Sequence, residues 1–544
     1  MVAEALTLGV LASALGIGAG IGVAKAINLL FSALGADLPI SGIVLVPRTI
    51  IVAVSVGIIV TLFSSLVPAL RATRVPPVAA MQEGSTLPPT RFSRFSTIIA
   101  ALVTAAGTGS LALGIWGGGS NNSRLMYMGL GALLLFLAVA MLAKFIVKPV
   151  SRVIGWPLEK LAPISGRLAR ENAARNPSRT ASTAAALMIG LALVVFVAVF
   201  AGSMKASFSG AIGDSTRADL VVQDRTAMLT VPQSDVAKLA KVQGVAAASG
   251  VAAGQLKIAG HGISTAYAVD PATFGKVWGF KWERGGSDAL LAKLDSASGG
   301  ADGGVLLESE SPAAATAKVG DTITVTSAAD KTARLRVVGI YRDQMAFTGM
   351  VTSQGVFKRL GMPTGSTITL VRTTASVGLA QGQRNVKQAL AGFPTQDVLT
   401  KGEYLDLVNK QIDQFMTMIY GLLAMSVIIS IFGIINTLVL SVHERTREIG
   451  MLRAIGATRT QLRRMVRYES VITAVIGGLL GIVVGVGFGY LMMSQLGGDG
   501  IAFSVPWEQL GIFLVLSVVI GVIAAVLPAR RAAGTRILEA IQYE

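Results

Sequence analysis

The chain opens with an apolar stretch that recurs near its other end. This stretch, Glu4-Ala-Leu-Thr-Leu-Gly-Val-Leu-Ala-Ser-Ala-Leu-Gly-Ile-Gly-Ala-Gly-Ile-Gly, aligns with Glu469-Ser-Val-Ile-Thr-Ala-Val-Ile-Gly-Gly-Leu-Leu-Gly-Ile-Val-Val-Gly-Val-Gly. The alignment continues with Pro68-Ala-Leu-Arg-Ala on Pro528-Ala-Arg-Arg-Ala and Ala80-Met-Gln on Ala540-Ile-Gln. Repeated helix sets are a common way of building membrane transport proteins. The sequence therefore predicts a duplicated helical unit.

Composition places the protein in a membrane. Of its 544 residues 52% are hydrophobic and 14% are charged, and the mean hydropathy is +0.64. A soluble domain carries about 25% charged residues. The chain has no cysteine, which excludes disulfides and thiolate metal sites. We attribute the net charge of +17 to basic cytoplasmic loops rather than to nucleic-acid binding.

Apolar runs of about 20 residues predict membrane helices. We predict about eight, at 5–31, 46–70, 97–116, 126–147, 182–203, 413–440, 470–493 and 509–529. The loops 71–96, 148–181 and 441–469 are rich in Arg and Lys, whereas 494–508 has neither. Because basic loops stay inside, we expect a multi-pass protein of the cell (inner, cytoplasmic) membrane with both termini cytoplasmic.

The segment 205–410 is expected outside the membrane as an α+β domain. Five strand-like runs lie at 218–223, 304–308, 321–326, 333–341 and 366–372, with helical stretches at 232–243, 310–318, 354–361 and 377–391. The rest of the chain divides into a partial first unit at 1–84, a linker and two helices at 85–160, an amphipathic segment and one helix at 161–204, and three helices at 411–544. The linker itself is 83–96, so it starts at the end of the first unit. Residues 401–415 are amphipathic and should run as a helix into the membrane.

The loop 441–469 contains the strongest local feature. Its residues Glu444, Arg445, Glu448 and Arg453 are charged, Ile449, Leu452 and Ile455 recur at helical spacing, and Gly450, Gly456 and Ala457 accompany them. A short amphipathic helix of this kind suits a docking element for a groove on a cytoplasmic partner. A basic patch held to anionic membrane lipid is the alternative that the residues leave open.

Small residues at four-residue spacing form a second pattern. Gly477, Gly481, Gly485 and Gly489 fall on one helix face, and the first copy has Ala12, Gly16, Gly20 and Ala24 at the matching places. Small residues allow close helix approach in lipid. We predict a helix-packing face in both copies, against the alternative that Gly and Ala are merely abundant.

Several functions are disfavoured by what the sequence lacks. There is no G-x-x-x-x-G-K-[ST] segment for nucleotide phosphates, and His261 and His443 are the only histidines. Lys25, Lys144 and Asp413 lie near predicted helix ends, so the midplane charges typical of ion-driven carriers are missing. We therefore expect no catalytic residue, metal or cofactor in this chain.

Glu444-Arg-Thr-Arg-Glu-Ile-Gly-Met-Leu-Arg-Ala-Ile-Gly-Ala resembles the cytoplasmic signature of the FtsX-like permeases, the family of MacB and the LolC/LolE permeases. The closing Leu527-Pro-Ala-Arg-Arg-Ala-Ala and Ile537-Leu-Glu-Ala-Ile resemble it too, and 205–410 is similar to the MacB-type periplasmic core domain through Gly304-Val-Leu-Leu-Glu, Lys318-Val-Gly-Asp-Thr-Ile-Thr-Val and Val337-Val-Gly-Ile-Tyr. The resemblance covers 160–544, and the repeat extends it to 1–84.

The resemblance implies a permease subunit of an ABC transporter, with ATP and Mg on a separate cytoplasmic ATPase dimer. The coupling helix of that family corresponds to Glu444–Ala457 here. The resemblance implies that Glu444, Arg445, Glu448 and Arg453 are its charged contacts to the ATPase and that Ile449, Leu452 and Ile455 are its apolar anchors. A two-unit member would have a first helix, a first outer domain, a second helix and a coupling loop before Glu4. We expect these to be missing from this reading frame or supplied by another chain.

Two functions of different class follow from the resemblance. One is export or extraction of a lipid, lipoprotein or peptide-like substrate by mechanotransmission. The other is a transmembrane signalling device that switches an extracytoplasmic partner protein such as a cell-wall hydrolase. The two-unit architecture favours cargo by family analogy. A membrane-anchored binding protein without an energy source is disfavoured by the elaborate loop.

Overall fold

The computed structural model describes residues 2–33, 46–72, 91–117, 121–225, 230–296, 300–343, 345–393, 395–496 and 502–535. The chain forms two compact units. The first comprises Met1–Val195, Gln414–Gly485 and Leu510–Glu544, and the second comprises Phe196–Asp413 and Val486–Gln509.

The helices, in chain order, are α1 Val2–Ala33, α2 Pro47–Ala72, α3 Arg91–Trp116, α4 Asn121–Leu161, α5 Pro163–Arg175, α6 Pro177–Ser215, α7 Gln233–Leu239, α8 Phe274–Val277, α9 Pro312–Thr316, α10 Gln354–Arg359, α11 Leu379–Ala389, α12 Lys401–Glu444, α13 Thr446–Ala454, α14 Arg459–Leu496, α15 Trp507–Ala524 and α16 Val526–Gly534. Among the described residues, eight are long and apolar enough to cross a membrane: α1, α2, α3, α4, α6, α12, α14 and the span that starts with α15. The prediction of about eight membrane helices is confirmed.

The basic segment 148–181 is helical rather than a loop. The helix α4 continues to Leu161 through Pro149 and Pro157, and α5 and α6 follow at once. Pro163 and Pro177 each start a helix. The N–H that proline lacks is not needed there, because the first N–H groups of a helix have no carbonyl acceptor within it. Of the predicted linker 83–96, residues 83–90 lie outside the described part, and α3 already begins at Arg91.

The helix pair α1–α2 packs by the same rule as its repeat α14–α15. In the first pair, a Cβ added to Gly57 would collide with the Ser13 hydroxyl. In the second, a Cβ added to Gly478 would lie 2.8 Å from Ser517 Oγ. The repeat aligns Ser13 with Gly478 and Gly57 with Ser517, so serine and glycine have exchanged helices at one crossing.

A second crossing, one turn away, repeats the exchange. Gly9 of α1 faces α2, where an added Cβ would lie 3.2 Å from the Ile58 Cα and 3.5 Å from the Thr61 Cβ. Gly521 of α15 faces α14, where an added Cβ would lie 2.9 Å from the Ala474 Cβ. The repeat aligns Gly9 with Ala474 and Thr61 with Gly521. The duplication is therefore present in the packing as well as in the sequence.

Hydroxyl groups join the helices of the second copy. Ser430 Oγ on α12 donates to the Ala186 carbonyl on α6 at 2.7 Å, and Ser470 Oγ on α14 donates to the Gly521 carbonyl on α15 at 2.7 Å. Interhelical hydrogen bonds of this kind hold helices together where lipid gives no hydrophobic driving force.

The α+β domain at 205–410, called the outer domain below, has ten strands in its described part: β1 Leu220–Asp224, β2 Val245–Ile258, β3 Gly262–Val269, β4 Lys281–Arg284, β5 Gly303–Glu308, β6 Thr322–Thr326, β7 Thr332–Arg342, β8 Met350–Ser353, β9 Ile368–Thr373 and β10 Gln396–Thr400. Their order is β10-β1-β9-β2-β3-β8-β5-β7-β4, and β6 pairs with both β2 and β7. The strands β2, β3, β8, β5, β7 and β6 therefore close into a ring in which each strand has two neighbours, while β10 and β4 remain at the ends of the sheet.

The long strand β2 belongs to two layers. Val245–Val251 pair with β9, whereas Ala252–Ile258 pair with β3. One core fills the ring and includes Leu256 and Leu335, and another lies where Val386 of α11 packs on the β10-β1-β9 side. The predicted α+β domain is confirmed.

Five predicted strands appear as β1, β5, β6, β7 and β9, and α12 begins at Lys401 as predicted. The strands β2, β3, β4, β8 and β10 were not predicted from the sequence. The first half of β2 is Val-Ala-Ala-Ala-Ser-Gly-Val, which shows no alternation because both of its faces are buried from Ala247 to Val251.

Candidate functional site

The helix α13 forms the centre of the predicted coupling segment. Arg445 separates it from α12 with φ −104° and ψ 20°. At its other end, Gly456 has φ +105°, its N–H bonds the Arg453 carbonyl at 3.1 Å, and the Ala457 N–H bonds the Leu452 carbonyl at 3.0 Å. This is a Schellman cap, which favours glycine at the left-handed position. Both ends of α13 are thus fixed.

The inner face of α13 is apolar and covered by the chain itself. Ile449 is 2% exposed, and it packs with Leu452 onto Leu462 and Met465 of α14 and Ala529 of α16. Gly450 is buried as well. The expectation that Ile449 and Leu452 are apolar anchors for a partner is therefore revised, because these side chains attach α13 to its own protein.

Arg445 fastens the start of α13. Its Nε donates to Glu448 Oε2 at 2.9 Å, one terminal nitrogen donates to Asn172 Oδ1 of α5 at 2.8 Å, and the other lies 3.7 Å from Glu469 of α14. The side chain is 20% exposed. A guanidinium held on three sides links α5, α13 and α14 into one body.

The other charged residues of the segment also have partners within the chain. Glu444 accepts from Arg179 of α6 at 2.9 Å, and Arg453 donates to the Thr535 carbonyl. Glu448 lies 3.9 Å from Arg175 at its second oxygen. These contacts position α13, so the charges predicted for a partner are already engaged in holding the helix.

The outer face of α13 carries Arg447 and Met451, which were not predicted as site residues, beside Ile455, which was. Arg447, Met451 and Ile455 are exposed and spaced four residues apart, which puts them in one row. Met451 is 45% exposed and Ile455 is 85% exposed. Ala454 and Gly456 are exposed beside them, and Ala457 is half-buried. Ile455 is thus the predicted apolar anchor that does face outward.

The glycine row of α14 lies against α6. An added Cβ would lie 2.6 Å from the Ala184 carbonyl at Gly477, 3.0 Å from the Met188 carbonyl at Gly481, and 2.6 Å from the Ala192 carbonyl at Gly485. At Gly489 it would lie 2.5 Å from the Val199 side chain. Four successive turns of α14 thus approach α6 closely.

The matching row of the first copy is not covered in this way. Ala12, Gly16, Gly20 and Ala24 are exposed and line a groove of about 690 Å³ between α1 and α2. A Cβ added to Gly16 or Gly20 would meet no other described atom within 4 Å. The predicted packing face therefore packs in one copy and lies open in the other.

Basic residues form a cleft on α4 and α5. Lys148, Arg152, Arg170 and Arg175 line it together with Glu171, and its volume is about 470 Å³. As for metals, the described residues contain no group of three or more His, Asp and Glu side chains placed to hold an ion.

Two protein-family models match different segments of the chain. A model of the FtsX-like permease C-terminal domain matches residues 1–77 and 420–537, and a model of the MacB-like periplasmic core domain matches residues 180–389. The chain is 37% identical over 135 residues to the uncharacterized ABC transporter permease YknZ of Bacillus subtilis, covering 25% of this chain and 33% of that protein.

Two further similarities concern proteins called MacB. The macrolide export ATP-binding/permease protein MacB of Bdellovibrio bacteriovorus is 32% identical over 148 residues, which cover 27% of this chain and 22% of the relative. The crystal structure of the periplasmic region of MacB from Actinobacillus actinomycetemcomitans has a TM-score of 0.28 and 14% identity, covering 37% of this chain and 95% of that one. The alignments to both curated relatives span a third of their length or less.

Proposed function

We propose that the outer face of α13 docks into a groove on a separate cytoplasmic ATPase dimer. The premise is that this chain belongs to the FtsX-like, MacB-type ABC transporter permeases. One observation carries the proposal: Arg447, Met451 and Ile455 stand exposed in a row on a helix whose other face is fixed. Helices that bind grooves present anchors at this spacing. ATP and Mg would belong to the partner.

Movement of α13 would pass to the rest of the permease through its fastenings. Arg445 contacts α5 and α14, and a single residue separates α13 from the 44-residue helix α12. A helix of that length is about 66 Å long. ATP-driven displacement of α13 would therefore move α12 and α14 together, which is mechanotransmission without a wide channel.

The cargo would be a lipid, lipoprotein or peptide-like molecule that is exported or extracted. Support comes from the outer domain, which is large and encloses an apolar cavity of about 280 Å³. The protein would lie in the cell membrane with both termini cytoplasmic, because the basic segments 148–181 and 441–469 carry many Arg and Lys residues.

Membrane lipid is a second proposed partner, at the basic cleft of α4 and α5. Its lining holds four cations and one carboxylate, and although Arg170 pairs with Glu159 at 2.7 Å, the excess of positive charge favours an anionic headgroup. Replacing Lys148 and Arg152 with Gln should lower retention of anionic phospholipid on the purified protein, and equal retention would refute this site.

The docking proposal is tested with two variants on opposite faces of α13. Ile455→Asp places a charge on the outer face, so we expect at least about tenfold weaker binding of the ATPase encoded beside this gene, with unchanged unfolding temperature. Ile449→Ala empties the inner face and should lower stability by about 2–5 kcal/mol. Binding is measured by co-purification in nanodiscs, and turnover as permease-stimulated ATP hydrolysis.

This pair separates docking from folding. If Ile455→Asp binds and stimulates the ATPase like the unmodified protein, the outer face of α13 is not the docking surface. A combined change at Glu448 and Leu452 would be a poorer test, since both side chains stabilise α13 from within.

A further inference from the structure

An apolar cavity of about 280 Å³ lies in the outer domain next to the ends of α6 and α12. Phe208, Ile212 and Thr216 line it at four-residue spacing along and just beyond α6, and Tyr404 lines it from α12. Tyr267, Trp278 and Phe347 complete the aromatic lining, and the ring centroids of Trp278 and Phe347 lie 4.9 Å apart in an edge-to-face arrangement. The lining is largely apolar, as ligand cavities usually are.

The wall that contains Phe347 is fixed by hydrogen bonds. The fully buried Tyr341 donates from its hydroxyl to the Phe347 carbonyl at 2.6 Å. Asp343 Oδ1 accepts from the N–H groups of Met345 at 3.2 Å and Ala346 at 2.9 Å. These bonds hold the wall in place without a ligand, so the cavity is preformed.

Two hydrogen-bonding groups of this lining have no partner among the described residues. They are Trp278 Nε1 and Thr216 Oγ1, both buried, and the whole Trp278 side chain is 3% exposed. Buried indole N–H and hydroxyl groups nearly always have partners. Each of these two atoms has less than 1 Å² of accessible surface, so an acceptor held in the cavity would reach it only after a side-chain rotation.

The backbone brings these two groups together. Thr216 and Trp278 face each other in an isolated antiparallel bridge, flanked by the bonds from Arg217 N to Val277 O and from Gly279 N to Ser215 O. This pattern defines a non-hydrogen-bonded pair, whose Cβ atoms are about 4.5–5.5 Å apart on the same side. The two side chains therefore leave the backbone next to each other and on the same side.

Along α6 the cavity begins shortly after the apolar run predicted to cross the membrane. Lys205 of α6 and Asp413 of α12 form an ion pair just past the apolar run predicted at 182–203. Phe208 follows three residues later, about 4.5 Å further along the helix. The headgroup layer is roughly 5–8 Å deep. The cavity thus lies within reach of an acyl chain carried by a molecule that leaves the bilayer.

We propose that this cavity binds the ester end of an acyl chain, with Trp278 Nε1 and the Thr216 hydroxyl donating to the ester oxygen. Asp343 lies directly behind the Met345–Phe347 wall, which favours an uncharged ester over a carboxylate or phosphate. At roughly 30 Å³ for each water-sized group, the volume holds about nine heavy atoms. A longer chain would leave past the exposed residues Ala253 and Thr367 of the lining.

The site does not depend on α13 or on an ATPase, so its test is separate from that of the proposed function. The full chain is labelled with 5-fluorotryptophan and placed in nanodiscs, and Trp278 is assigned among the five tryptophans by Trp278→Phe. Methyl octanoate should shift the Trp278 fluorine resonance saturably. Trp116 and Trp507, which are 82% and 77% exposed, report on nonspecific partitioning.

Matched probes and variants define the chemistry. Octane lacks the acceptor and octanoate carries a charge, so both should bind about tenfold more weakly. Thr216→Val removes the hydroxyl at constant shape and should weaken binding of methyl octanoate about three- to tenfold. Ala253→Leu at the exposed mouth should abolish the saturable shift. An unmoved Trp278 resonance, or equal affinity for octane and methyl octanoate, overturns the proposal.

The source of the ester is distinguished by the bilayer. Nanodiscs of ester-linked and ether-linked phosphatidylcholine are compared before any probe is added. A different Trp278 resonance in the two bilayers identifies a membrane phospholipid as the occupant. Identical resonances that both move with methyl octanoate identify an ester presented from outside the bilayer, such as the acyl group of a lipoprotein.

Discussion

The close approach of α14 to α6 predicts opposite effects for one substitution at two neighbouring glycines. At Gly485 an added Cβ would lie 2.6 Å from the Ala192 carbonyl oxygen and 2.7 Å from the Val195 Cβ. At Gly487, two residues on, it would meet no described atom within 4 Å. Both glycines are in the interior of the same helix, so Gly→Ala changes helix propensity equally at both.

The magnitudes follow from that difference. Alanine stabilises a helix interior over glycine by about 1 kcal/mol, so Gly487→Ala should raise the free energy of unfolding by that amount. At Gly485 the backbone carbonyl cannot rotate away, and the helices must separate by roughly 1 Å to restore ordinary contact at about 3.5 Å. Overpacking of this kind costs about 3 kcal/mol at the upper end, which leaves Gly485→Ala roughly 2 kcal/mol less stable than the unmodified protein.

The assay is unfolding in mild detergent by titration with sodium dodecyl sulfate, followed by circular dichroism and tryptophan emission. The two variants should differ by about 3 kcal/mol. If Gly485→Ala is as stable as Gly487→Ala, the glycine row does not pack against α6, and our account of the helix crossing is wrong.

Three further outcomes are expected. Gly57→Ser should destabilise the α1–α2 pair, and adding Ser13→Gly should restore it, since the double variant reproduces the pairing of the second copy; a double-mutant cycle without coupling would argue against the exchange. Gly456→Ala forces alanine into φ +105° and should lower the free energy of unfolding by about 1–2 kcal/mol, measured by the same titration; no loss would mean that the cap is not formed. Burial raises the pKa of the Asp343 and Glu308 carboxyls, so the folded state binds more protons than the unfolded chain. The stability of the outer domain should therefore fall as pH rises above about 4 towards the raised pKa values. Asp343→Asn should reduce the difference in stability between pH 5 and pH 7.5 in urea unfolding, and an unchanged difference would contradict this reasoning.

The helix α13 shows where sequence periodicity gives the wrong face. The apolar residues Ile449, Leu452 and Ile455 share a spacing that fits one amphipathic stripe. In the fold, Ile449 and Leu452 pack inward, while Ile455 projects outward in a row with Met451 and Arg447. Periodicity locates an apolar stripe but does not say whether the protein or a partner covers it. The Gly456 cap, by contrast, is a local signal that the sequence contains in full.

The number and position of the membrane helices, the duplication and the class of the outer domain were determined by the sequence alone. These depend on apolar run length, on residue-by-residue similarity and on local strand and helix patterns, all of which are properties of short segments. The segment around Glu444–Ala457 was located for the same reason.

Only the tertiary structure decided which surfaces are covered. The rows beginning at Ala12 and Gly477 are alike in sequence, yet the second lies against α6 and the first lines an open groove. The closure of β2, β3, β8, β5, β7 and β6 into a ring, and the meeting of Thr216 with Trp278 across 62 residues of chain, depend on contacts between distant segments. Local composition cannot specify such contacts, because burial is a property of the whole fold.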